Sequence, residues 1–130
     1  MTSAIRIEVA PGELIDRLTI LEIKRERIAD ALKRAQIEAE FTMLLRAEDE
    51  AVSPSGALLA LRARLRSVNE QLWDIEDDIR DCERRAEFGS AFVALARAVY
   101  RTNDRRSELK RQINELLGSA LIEAKCYRPY

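Results

Sequence analysis

The sequence predicts an all-α fold, an antiparallel three-helix bundle of long helices with a short extended N-terminal arm and a C-terminal tail. The first observation behind this is a heptad seam: Leu58, Leu61, Leu65, Val68, Leu72, Ile75, Ile79, Cys82 and Ala86 recur at alternating spacings of three and four. Such spacing places them on one stripe of a helix for about four heptads. The second is composition, 47% apolar with 35% charged residues, the profile of long amphipathic helices, while four Gly and three Pro leave little material for a turn-rich β fold. The third is that the breaks between periodic segments are short, which makes successive helices antiparallel neighbours.

A chain of 130 residues is most simply one domain, with residues 1–10 as arm, 11–118 as bundle and 119–130 as tail. In the arm, Ile5, Ile7 and Val9 alternate with Arg6 and Glu8, the pattern of a short half-buried strand or an extended arm. Pro11 and Gly12 end it. The first helix is expected from about Gly12 to residue 49, bent midway, on a seam of Leu14, Leu18, Leu21, Ile28, Leu32 and Ala35 with Arg25 in one seam position. Ser53-Pro54-Ser55-Gly56 is the clearest loop. The second helix then runs from Ser55 or Gly56 to Ala86. Phe88-Gly89-Ser90 is a tight connection with Ser90 as N-cap, and the third helix spans about Ala91 to Leu117. Its seam is Phe92, Leu95, Val99, Thr102, Arg106, Leu109, Ile113 and Leu116, and Gly118 stands where a C-cap glycine belongs.

Charge is near balance, with 22 basic and 23 acidic residues, which speaks against nucleic-acid binding because phosphate contacts need a basic excess. The chain has no histidine, which removes Ser-His and Cys-His catalysis and His-ligated zinc. Cys82 falls in the apolar seam and Cys126 near the tail, not a disulfide framework. With no signal peptide or long apolar run, a cytoplasmic location and no membrane partner are expected. No cofactor is expected either. The acidic run from Asp74 to Glu83 invites a magnesium site, but its spacing suits a solvated face better.

Equal rise along neighbouring helices places Arg25, Glu76 and Tyr100 at one height. The candidate site is therefore a central polar layer or anion-binding pocket made by Lys24, Arg25, Asn69, Trp73, Glu76, Arg80, Tyr100, Asn103 and Arg106. Such a layer either fixes register or presents arginines to a carboxylate or phosphate. On the pocket reading, Arg106→Met should leave folding intact. Arg97, Arg101 and Arg105 form a basic stripe expected to pair with Glu70, Asp74 and Asp78 on the second helix, the alternative being a basic face for an acidic partner.

Residues 11–24 (PGELIDRLTILEIK), together with Asn69, Leu72, Trp73, Glu76, Asp77 and Arg80, with Leu95-Ala96-Arg97, Tyr100, Asn103 and Arg106, and with Glu123, Lys125 and Tyr127, resemble an uncharacterised bacterial family of short, mainly helical proteins. The resemblance implies no activity. In architecture alone the chain is also similar to the small all-helical chorismate mutases, whose active-site residues find no counterpart here position by position. The expectation is thus a non-enzymatic cytoplasmic interaction or assembly module, a homodimer through spare apolar positions such as Ile20, Ile23, Ile37 and Trp73. The alternative is a site for an anionic metabolite between the helices.

Overall fold

A computed structural model describes residues 2–121 and 123–130. They form four helices, α1 (Pro11–Arg27), α2 (Ala31–Ala51), α3 (Gly56–Arg84) and α4 (Ser90–Leu116), and no strand occurs among the described residues. The all-α class holds, but the expected first helix is two helices. Residues 28–30 leave helical geometry, with Ile28 at ψ 122° and Asp30 at ψ 123°. Ile28 N–H closes α1 on the Lys24 carbonyl at 2.9 Å, and the Asp30 carboxylate accepts from Lys33 N–H at 2.9 Å to cap α2. An Asp side chain offers the backbone this alternative to a continued helix without any Gly or Pro. The seam extended past the break fails with it, since Leu32 and Ala35 are exposed.

The arm has no strand partner. Ile5 and Ile7 are 82% and 72% exposed, and of the arm's described residues only Ala10, at the mouth of α1, is buried. α1 carries buried Leu14, Ile15, Leu18, Leu21 and Ile23, which together occupy most of its circumference. A helix apolar on nearly every side is a central helix, and α1 contacts each of the other three. α2 contributes Phe41, with Ile37, Leu44 and Leu45 packed at the edge of the core. The Arg25 guanidinium sits 4.4 Å above the Phe41 ring.

α3 starts where expected: Ser55 Oγ accepts from Leu58 N–H at 3.1 Å. It ends before Ala86, whose φ of 54° turns the chain out of the helix. Phe88 then stacks edge-on against Phe92, centroids 5.3 Å apart. Ser90 is the first residue of α4 rather than its cap. At the far end Gly118, at φ 64°, lets Ser119 N–H reach back to the Asn114 carbonyl at 2.9 Å, the closure of a Schellman cap.

The core lies where α1 meets the first half of α3 and the second half of α4: Ile15, Leu18, Leu65 and Ile113 have no exposed surface. Beyond Leu72 on α3 and before Thr102 on α4 the two helices continue as a limb, where Ile75, Ile79, Leu95 and Val99 are only half-buried.

Candidate functional site: a buried carboxylate and the cleft in front of it

Asp16, on α1 between Ile15 and Arg17, is a charged group with no exposed surface. Arg106 of α4 donates to it side-on, Nε to Oδ1 at 2.9 Å and Nη2 to Oδ2 at shorter range. Asn69 of α3 donates its amide to Asp16 Oδ1 and to Thr19 Oγ1, both at 2.9 Å, and Thr19 donates to the Asp16 carbonyl at 2.7 Å. Among the described residues no buried side-chain nitrogen or oxygen lacks a partner. The layer is closed, and its members come from three helices. The Asp16 hydrogen bonds raise the Arg106 pKa above that of a free guanidinium.

The same helices are laced along their length. Asn114 Oδ1 accepts from Gly12 N–H at 2.7 Å, supplying from α4 the cap that Ala10 cannot give. A Cβ on Gly12 would lie 2.5 Å from the Lys110 carbonyl oxygen, so only glycine permits this approach. Lys110 Nζ bridges Glu13 at 2.7 Å and Glu123 at 3.0 Å. Burial pulls the Lys110 ammonium pKa down, but the two carboxylates more than offset it, and the net direction is up. Burial likewise pushes Glu13 up, yet Lys110 and Arg17 outweigh that and hold it below the ordinary carboxylate value. On the other side of α1, Arg62 joins Glu22 (2.7 Å) to Glu48, and Arg66 reaches Glu22 and Glu26 at 3.0 and 2.6 Å.

Of the expected belt, the structure brings Asn69 and Arg106 together around Asp16. Tyr100 and Asn103 join Arg106 along a cleft on α4. The other members lie elsewhere. Arg25 pairs with Glu38 at 2.6 Å and covers Phe41, and Lys24 is half-buried beside it. Trp73 lies against Arg27, whose guanidinium is 5.7 Å from the indole and pairs with Asp74 at 2.6 Å. Glu76 and Arg80 are exposed and pair with each other at 3.4 Å. The expected level of Arg25, Glu76 and Tyr100 rested on a first helix reaching residue 49. With α1 ending at Arg27, the polar layer instead forms at Asp16, more than two turns earlier. Asp16 itself was missed. Its signal was the near-complete apolar circumference of α1, which leaves a carboxylate there no route to water.

The stripe pairing is also corrected. Glu70 pairs with Arg66 and Asp74 with Arg27. Arg105 donates to the neutral Gln71 (2.9 Å) and Thr102 (3.2 Å). Among the described residues Arg97 and Arg101 make no ion pair, and neither do Asp77, Asp78 and Glu83. That same stretch of α3 gathers no metal set: among the described residues no three His, Cys, Asp or Glu side chains cluster closely enough to hold an ion.

The cleft, of about 950 Å³, lies between α4 and the C-terminal tail. The tail is docked by Lys125 on Asp104 (2.8 Å), by Glu123 on Lys110, and by Tyr130 edge-on to Tyr100 with centroids 5.1 Å apart. Lys125 and the Tyr130 hydroxyl hold the Asp104 carboxyl below its usual range, and Asp104 in turn raises Tyr130.

Among the described residues no helix is long and apolar enough to cross a membrane. No curated protein and no solved structure matches the chain. One family model does, over residues 5–129, almost the full length that carries the helices and the docked tail. The chain belongs to that family, DUF6165, a family of unknown function.

Proposed function

We propose that the chain is a non-enzymatic assembly module that pairs with a second copy through its α3–α4 limb. The observation that carries this is the unmatched charge on a half-buried hairpin. Arg97 and Arg101 on α4, and Asp77, Asp78 and Glu83 on α3, find no ion-pair partner among the described residues, while Ile75, Ile79 and Val99 beside them are half-exposed. In this reading α3 and α4 run antiparallel, so the two stripes lie at similar heights. A two-fold axis across the limb sets each copy's acids against the other's arginines, as isologous interfaces require. It also supplies the third layer that two helices lack. The closed Asp16 layer belongs to the same reading, as a device that fixes how α1 seats on the pair. Two free thiols, one buried and one exposed, suit a reducing cytoplasm.

Light scattering tests it. The expected mass is twice the 14.9 kDa of one chain. Arg101→Glu should return it to one chain, and adding Asp78→Arg should restore the pair. A single-chain mass for the unaltered protein at every concentration overturns the reading.

A further inference from the structure

We infer that the cleft between α4 and the tail is a binding site for a small oxyanion, a carboxylate or phosphate ester carried on a flat ring, with the outer edge of Arg106 as its anchor. The inference does not depend on the pairing of the limb.

A guanidinium presents five N–H groups in two usable forks. Asp16 occupies one, through Nε and Nη2. The second fork, Nη1 with the remaining proton of Nη2, has no protein acceptor among the described residues. Nη1 is also not buried, because among the described residues no buried side-chain nitrogen lacks a partner. Arg106 is 31% exposed and lines the cleft, so this free fork belongs to the cleft side. Behind it the arrangement is rigid. Asp16 is itself held by Asn69, and α1 is fixed to α4 by Gly12–Asn114 and Glu13–Lys110. A buried ion pair is a poor source of stability. It is a good way to hold an arginine at fixed angle toward a ligand, as a supporting carboxylate does for a metal-bound histidine.

The rest of the lining completes an anion site. Asn103 and Ser107 lie on the same face of α4 as Arg106 and offer neutral donors. Arg128, from the tail, lines the cleft without an ion-pair partner among the described residues, whereas Lys110 and Lys125 are already matched to carboxylates. Among the described residues Arg128 is thus the lining cation with no carboxylate of its own, while the lining carboxylates Asp104 and Glu123 are engaged by Lys125 and Lys110. Tyr100 and Tyr130 give an aromatic wall, and their edge-on packing leaves ring surface for a planar body. The volume of about 950 Å³ is that of a small-molecule pocket.

The test is titration of ¹⁵N-labelled full-length protein with phenyl phosphate, benzoate, inorganic phosphate and, as neutral control, phenol. Phenyl phosphate or benzoate should give saturable shifts confined to residues 99–110 and 123–130, and whichever binds tighter identifies the oxyanion. Inorganic phosphate should bind about fivefold or more weakly, the scale of one lost aromatic stacking contact, and phenol should not bind. Tyr100→Ala should remove the advantage of the ring. Arg106→Met alone leaves the Asp16 charge buried and unpaired, so the anchor is tested in the double variant Asp16→Leu with Arg106→Met, which replaces the ion pair by two apolar side chains and leaves Asn69 bonded to Thr19. It should melt cooperatively and lose all anion binding. Two results overturn the inference: no saturable shift for either aromatic anion at millimolar concentration, or undiminished binding in the folded double variant.

Discussion

The base of the molecule and its limb are built from the same two helices and one continuous heptad seam, yet they are packed differently. At the base Leu65 of α3 and Ile113 of α4 have no exposed surface, because α1 lies across them. In the limb Ile75 and Ile79, on the same stripe, are half-buried, because α1 ends at Arg27, against Trp73 and Asp74, and beyond it α3 and α4 have only each other. Periodicity selects which side faces a neighbour. How many neighbours arrive decides how much of that side leaves water, and hence its contribution of about 25 cal/mol per Å² of apolar surface. Polar groups follow the same division. At the base Asp16, Asn69, Thr19 and Arg106 close on one another. In the limb Glu76 pairs with Arg80 on its own helix, and Arg97 and Arg101 are left to solvent.

The largest expected effect separates these two kinds of polar group. Arg106→Met leaves the Asp16 carboxylate buried with only Asn69 and should destabilise the fold by about 3–5 kcal/mol, the cost of breaking a buried pair from one side. This reverses the expectation attached to the pocket reading of the sequence, that Arg106→Met leaves folding intact. Asp16→Leu added to it should recover most of the loss, since an apolar pair of similar volume is close to neutral. The matching cycle in the limb, Glu76→Ala and Arg80→Ala, should register less than about 0.5 kcal/mol, as for exposed pairs one helical turn apart. Urea unfolding of the variants measures all of these. A base cycle as flat as the limb cycle would mean that Asp16 reaches water.

The next effect concerns the seam. Leu65→Ala should cost about 2–5 kcal/mol, because a fully enclosed leucine leaves a cavity. Ile75→Ala should cost about 1 kcal/mol in the isolated chain, where half its surface is already wet. If a second copy covers the limb, the Ile75 variant shows its larger effect at concentrations where the unaltered chain is paired, as a lower melting temperature that rises less with concentration. Equal losses at both positions, independent of concentration, would show the limb to be as well packed as the base.

Much of the pair α3–α4 was legible in the sequence. Ser55 and Gly118 mark ends with known chemistry, and the seam from Leu58 to Cys82 needs no tertiary information. The break between α1 and α2 was not legible by Gly or Pro. It rests on Asp30 capping Lys33, a signal that also occurs on helix surfaces. That one omission moved the expected polar layer outward, to Glu76 and Arg80. It left Asn69 and Arg106 without Asp16, the group to which both donate. Asp16 resembles a surface residue when read beside Arg17, and only a count of the apolar faces of α1 shows that it must be enclosed. The docking of the tail was beyond any periodic signal, because it depends on single contacts such as Tyr130 on Tyr100.

The smallest effect tests the rim of the base, where Glu13 meets Lys110. Glu13 has a lower pKa folded than its ordinary 4.5, so the folded state binds fewer protons there than the unfolded state does. Its contribution is complete above about pH 4.5 and fades as pH falls through the depressed value; Lys110, shifted upward, stays charged throughout. With Glu13 partly exposed, the amount should be about 0.2–1 kcal/mol. Unfolding free energies at about pH 6 and about pH 3 should therefore differ less in Glu13→Gln than in the unaltered chain, by that margin. Screening separates rim from surface further: added salt should shrink the Glu13 difference only in part, whereas the exposed Glu76–Arg80 pair should lose its small contribution altogether. An acid slope unchanged by Glu13→Gln would place Lys110 with Glu123 alone and detach the start of α1 from α4.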